Sequence, residues 1–138
     1  MAEPVLLDTC AALWLVAEAP ISAASRAAIS AARDEGAGVY VSPFSAWEIG
    51  TLVAKRRIHL HLSPEVWFEA LIALPGILLA PLPPSILLAS TSLPGNPPAD
   101  PADRIIAATS RAQGYIVITR DRRILDYAQQ GFIRAVAC

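Results

Sequence analysis

Short apolar runs recur along the chain, and each is followed by a longer segment that carries helix-start signals. Val5–Leu7, Val39–Val41, Ile77–Leu79 and Tyr115–Ile118 read as short buried strands, with Ile133–Val136 as a final edge strand. The spacing predicts helices over Thr9–Ala17, from a Ser22 cap to about Arg33, and from Ser42-Pro43 to about Arg57. Further helices are expected from Ser63-Pro64 to about Leu74, from Pro83-Pro84 to about Thr91, from Asp100 or Pro101 to about Gln113, and over Arg122–Gln129. Ser followed by Pro places a capping oxygen before a residue whose fixed φ suits the first helical turn. Gly36, Gly38 and Gly114 supply stops. In the second helix Ala24, Ala28 and Ile29 form the expected apolar face. Strands alternating with helices imply an α/β fold with a mainly parallel sheet of about four to five short strands. No repeat or linker divides residues 1–138, which read as one domain.

The stretch Leu71–Leu93 carries no charge and is long enough to span a bilayer. Pro75, Gly76, Pro81, Pro83 and Pro84 interrupt any continuous helix there, so it reads as a buried strand with flanking turns. The start, Met1-Ala2-Glu3-Pro4, has no basic region before its apolar run. The expectation is a cytoplasmic protein without a membrane segment.

At 54% hydrophobic and 17% charged, the chain has the composition of a folded core rather than a disordered one. A net charge of -1 gives no global basic field for nucleic acid. The cations are uneven, with ten Arg and the single Lys55. Arg suits planar, bidentate contact with phosphate or carboxylate. Two clusters stand out, Lys55-Arg56-Arg57 and Arg120, Arg122, Arg123, each of which also reads as a solvated surface. Cys10 and Cys138 lie far apart in sequence, with no Cys-x-x-Cys or Cys/His spacing to suggest a disulfide framework or a zinc site.

Four acids change the picture. Asp8 closes the first strand and is the only charge between Glu3 and Glu18; Glu48 is the only charge between Glu35 and Lys55. Asp103 opens an apolar helix, and Asp121 follows the fourth strand. A carboxylate in such surroundings needs a partner, a hydrogen bond or a metal. Ligand sites in open parallel sheets form beyond the carboxyl ends of the strands. Asp8 and Asp121 belong to that edge, and Glu48 and Asp103 sit in early turns of helices that start there. Four acids in one pocket favour a hard divalent cation and metal-assisted chemistry on phosphate. A phosphorylated-aspartate receiver would need an acidic pair and a late Lys, and an Asp-x-Asp phosphatase a second acid in Asp8-Thr9-Cys10; both are missing. Neither a Ser/His/Asp arrangement nor a glycine-rich phosphate loop is suggested.

The pieces Leu6-Leu7-Asp8-Thr9, Ser45-Ala46-Trp47-Glu48-Ile49, Asp100-Pro101-Ala102-Asp103-Arg104 and Ile118-Thr119-Arg120-Asp121-Arg122 resemble the four acidic motifs of the PIN-domain family. Their order, spacing and total length are similar to those of VapC-type toxins of toxin–antitoxin pairs. The resemblance implies a three-layer fold and an Mg2+- or Mn2+-dependent endoribonuclease. It places Asp8, Glu48, Asp103 and Asp121 on the family's catalytic, metal-binding acids, and Thr119 on an assisting Ser/Thr. It also implies a homodimer, a VapB-type antitoxin that blocks the site, promoter DNA bound only through that antitoxin, and an RNA substrate of the tRNA or rRNA loop class. Departures occur at Cys10, where many relatives have His, at Ala102, where many have an aromatic, and at Asn96-Pro97-Pro98-Ala99, where a basic residue or His is frequent.

Each acid also has a plain structural reading. Asp8 suits a helix N-cap, Glu48 a pair with Lys55 or Arg104, Asp103 a first-turn acid favoured by the helix dipole, and Asp121 a turn residue or a ligand acting through water. Asp100 is read as the cap of its helix. His59 and His61 alternate and fit surface or packing roles, and Trp14, Trp47 and Trp67 fit core or dimer contacts. Arg104, Arg120 and Arg122 are candidates to touch RNA phosphates or an antitoxin. Two other functions remain open, a non-catalytic binding or regulatory module of the same fold and a metal-dependent DNA nuclease.

Overall fold

The computed structural model describes residues 2–138. Its five strands are β1 (Val5–Leu7), β2 (Val39–Val41), β3 (Ile77–Leu79), β4 (Ile116–Thr119) and β5 (Arg134–Ala137). They form one sheet in the order β3-β2-β1-β4-β5, and every neighbouring pair is parallel. The chain lays strands outward from β1 to β3, then returns to place β4 on the other side of β1. The order therefore reverses between β1 and β4, which opens a crevice at their carboxyl ends.

Alternation along the strands builds the two faces of the core. Val5, Leu7, Val39, Val41 and Ile118 point to one face, where Ala12 of α1 (Thr9–Val16), Ile29 of α2 (Ala23–Asp34), Ile49 of α3 (Pro43–Ala54) and Leu71 of α4 (Pro64–Ile72) cover them. Leu6 and Val117 point to the other face. There they meet Ile106 and Ala107 of α6 (Pro101–Gln113), and Ile124 and Tyr127 of α7 (Arg122–Gln129). The short α5 (Pro84–Ala89) packs on α6. Each fully buried Leu or Ile contributes about 2–3 kcal/mol of transfer free energy.

All strands and helices read from the sequence are present, some with the predicted bounds and the others with ends displaced by up to three residues. The helix from Ser42-Pro43 stops at Ala54, and Arg56 takes a left-handed φ of 57° just beyond it. β3 departs from its reading as a buried strand. Ile77 is buried, but Leu78 and Leu79 are each 47% exposed, because β3 is an edge strand. In α2 the buried residues are Ser25, Ile29 and Ala32, whereas Ala24 is exposed. Ser25 is drawn inward by a hydrogen bond from its hydroxyl to the Ala137 carbonyl at 3.2 Å. No helix among the described residues is long and apolar enough to cross a membrane.

Candidate active site

At the β1/β4 crevice, Asp8, Glu48, Asp103 and Asp121 line one cavity of about 340 Å3 together with Thr9, Cys10, Trp14, Ile106 and Arg120. Asp8 and Asp121 follow adjacent strands, and each also caps the helix after it. Asp8 Oδ1 accepts from the Ala11 N–H at 2.8 Å, and Asp121 Oδ1 from the Arg123 N–H at 2.8 Å. The capping reading and the pocket reading thus hold together. The positive ends of α1 and α7 favour the negative charge placed there. Asp100 caps α6 through the Asp103 N–H at 3.1 Å, and does not line the cavity.

Threonine hydroxyls hold two of the acids. Thr119 Oγ1 donates to Asp8 Oδ2 at 2.5 Å and accepts the Asp121 N–H at 3.0 Å. Thr9 Oγ1 donates to Glu48 Oε1 at 2.6 Å and is 2.9 Å from Ser45 Oγ. The pairings considered for Glu48, with Lys55 or Arg104, are not formed. No described residue donates a hydrogen bond to the Asp103 carboxylate, and among the described residues the one ion pair made by an acid of the set is Arg123 with Asp121, at 4.0 Å.

Burial sets the electrostatics, and the neighbouring carboxylates add to it. Burial pushes the Asp8 and Glu48 carboxyls up, partly offset by the Thr119 and Thr9 hydrogen bonds. Asp103 is pushed up to about 7, by burial first and then by Asp121, Asp100 and Glu48. Cys10 sits at the rim, and local desolvation with Asp8, Glu48 and Asp121 nearby raises its thiol to about 11. The neighbouring carboxylates thus disfavour a thiolate at this position.

Of the three candidate arginines, Arg120 lines the cavity and also bonds to the surrounding scaffold. Its guanidinium lies 3.8 Å over the Trp14 ring, and it donates to the Cys138 carbonyl at 3.0 Å and the Pro20 carbonyl at 3.4 Å. Arg104 points to the Ser90 carbonyl at 3.4 Å, and Arg122 is exposed at the start of α7. His59 and His61 are remote from the acids, with ring centroids 5.8 Å apart, on the border of an apolar groove with Trp14 and Trp67. Trp67 is buried, whereas Trp47 is 62% exposed and so is not a core residue.

The donor set is made of oxygens, which suits a hard cation. Among the described residues no three acidic, imidazole or thiol side chains stand close enough to grip an ion by themselves. Mg2+ retains several waters and needs only one or two direct carboxylates, so the spacing still fits a hydrated ion.

A family model described as PIN domain matches residues 5–130. The chain belongs to the PIN domain family. This PIN domain is 36% identical over 121 residues to Ribonuclease VapC22 of Mycobacterium tuberculosis, covering 87% of this chain and 88% of that protein. Its fold is similar to that of VapBC2 from Rickettsia felis, crystallised with a promoter DNA fragment, at a TM-score of 0.58, 12% identity and 98% of both chains. It is also similar to FitAcB from Neisseria gonorrhoeae, at a TM-score of 0.57, 22% identity and 95% of both chains. The resemblance read from the four motifs, and the three-layer α/β fold it implied, are borne out. Thr9 and Ser45 were missed as site residues, although both stand inside the quoted motifs; their contact joins residues 36 apart and leaves no local pattern.

Proposed function

We propose that this PIN domain is an endoribonuclease toxin of a toxin–antitoxin pair that hydrolyses RNA phosphodiester bonds with Mg2+ or Mn2+. The observation that carries the reading is the cavity in which four carboxylates converge with almost no compensating cation. Such a pocket repels an RNA phosphate unless a cation neutralises it. Asp8, Glu48, Asp103 and Asp121 would hold that cation. A divalent ion supplies charge neutralisation for the scissile phosphate and lowers the pKa of the attacking water. The protein's own part is to fix the acids: Thr119 and the Ala11 N–H orient Asp8, and the start of α6 presents Asp103. The Trp14–Arg120 stack walls the cavity on one side.

The 36% identity to a ribonuclease supports RNA as the substrate, in the tRNA or rRNA loop class implied by the motif resemblance. The fold likeness to VapBC2 supports a VapB-type antitoxin as partner, with promoter DNA reached through that antitoxin. A homodimer is supported by large apolar side chains left open, Trp47 at 62% and Leu88 at 69% exposure.

The test is digestion of RNA and of DNA of the same sequence by purified protein, with Mg2+ or Mn2+ and with a chelator. Cleavage of RNA that chelation abolishes is expected. Cleavage that survives chelation, or that consumes only DNA, overturns the reading.

A further inference from the structure

We infer that Thr9 and Ser45 form a hydroxyl relay whose task is to aim Glu48 into the acidic cavity. Thr9 is the first residue of α1 and Ser45 lies in the first turn of α3, so the relay crosses between two helices that start at the same sheet edge. Both are buried, at 6% and 1% exposure. A threonine hydroxyl has one hydrogen to give. The Glu48 carboxylate, 2.6 Å away, accepts it, so across the 2.9 Å contact the Ser45 hydroxyl donates to one of the two Thr9 lone pairs. Ser45 has no other side-chain partner among the described residues, and its proton therefore points at Thr9.

That direction matters. With one lone pair engaged by Ser45, the Thr9 hydroxyl turns its hydrogen to Glu48 Oε1. The second oxygen, Oε2, has no hydrogen-bond partner among the described residues. A valine and an alanine would fill the same space without desolvating two hydroxyls. The polar pair is explained by what it does to Glu48. Thr9 and Ser45 are assigned as positioning residues: Ser45 lies behind Thr9, and the Thr9 hydroxyl is spent on Glu48, so both act through the acid. The functional consequence rests on the metal-dependent reading above, whereas the geometric claim does not.

The test uses Thr9→Val, Thr9→Ser, Ser45→Ala and the Ser45→Ala/Thr9→Val double variant of the full chain, each checked for an unchanged melting transition. Mn2+ binding is measured directly by titration calorimetry, without RNA. Loss of a hydrogen-bond partner behind a metal-ligating side chain costs about 10- to 100-fold in affinity. Thr9→Val should weaken Mn2+ binding by about tenfold, and Thr9→Ser should restore it to within about twofold. Ser45→Ala should fall between, and the double variant should be no worse than Thr9→Val, because the two act in series. Equal affinity in Thr9→Val and the parent, or additive losses in the double variant, overturns the relay. Should the parent bind no Mn2+, the metal reading fails and crystal structures of the parent and Thr9→Val decide the relay. A Glu48 side chain turned to another rotamer in Thr9→Val supports it, and an unmoved Glu48 overturns it.

Discussion

Thr119 and Asp8 stand 111 residues apart in the chain, yet the Thr119 hydroxyl donates to Asp8 Oδ2 at 2.5 Å in the buried interior of the site. The Thr119 hydroxyl oxygen in turn accepts the Asp121 N–H at 3.0 Å. One side chain thereby ties the first acid to the turn that carries the fourth. Thr119→Val keeps the shape and leaves a buried carboxylate and a backbone donor unsatisfied. It should cost about 2 kcal/mol in denaturant unfolding and lower RNA cleavage, while Thr119→Ser should recover most of both. A Thr119→Val protein with parental stability would contradict the assignment of that bond.

The cation-poor pocket has a pH signature. Asp103 is raised from 3.8 to about 7, by burial first and then by neighbouring carboxylates. Between those values the folded chain keeps a proton that the unfolded chain has released. Stability of the metal-free protein should therefore fall as pH rises through that window, with the loss complete above about 7. Asp103→Asn should be the more stable protein at pH 8, by about 1 kcal/mol, a discounted figure because the group is partly open to solvent. The gap should narrow steadily toward pH 4, where the two should nearly coincide. Thermal melts across pH check this, and parallel curves for the two proteins would refute it. Added Mn2+ should stabilise the parent more at pH 8 than at pH 5.5, since ligating carboxylates must be deprotonated.

The loop before Asp100 is held by backbone contacts that tolerate only glycine at one point. Gly95 has φ +70°, and an added Cβ would run into the Phe132 ring and lie 2.7 Å from Gln130 Oε1. Gln130 pairs with both the N–H and the carbonyl of Asn96, at 2.9 and 3.1 Å, and the Tyr127 hydroxyl donates to the Pro94 carbonyl at 2.7 Å. Gly95→Ala should destabilise by about 2–3 kcal/mol. Gly50→Ala, in α3 with open space around it, should be neutral or stabilising by about 0.5–1 kcal/mol. Chemical denaturation of the two variants side by side measures the contrast.

Trp47 stacks on Phe44 with centroids 5.2 Å apart and remains largely open. If that face joins two copies, Trp47→Glu should sediment as a monomer with an unchanged melting point, while the parent sediments as a dimer. A monomeric parent at micromolar concentration would remove the homodimer from the account.

Much of this architecture was legible in the residues. Ser42-Pro43 and Ser63-Pro64 announced their helices because capping and the fixed proline φ act locally. The acids were legible because charge inside apolar segments needs a reason. What the sequence hid depended on contacts between distant segments. The exposure of Leu78 and Leu79 follows from β3 lying at an edge, which strand order decides and local hydrophobicity does not. The stacking of Arg120 on Trp14 and its bonds to Pro20 and Cys138 join segments far apart in the chain and left no local signal. The Ser45–Thr9–Glu48 relay likewise joins two motifs that are separate in the chain.

The central claim is that the acids of this cavity perform metal-dependent RNA hydrolysis. The most direct measurement is the single-turnover rate of RNA cleavage in saturating Mn2+ by the parent and by Asp8→Asn and Asp103→Asn, each confirmed folded. The account predicts a loss of more than about a hundredfold in both variants. Cleavage by either variant at the parental rate would contradict it.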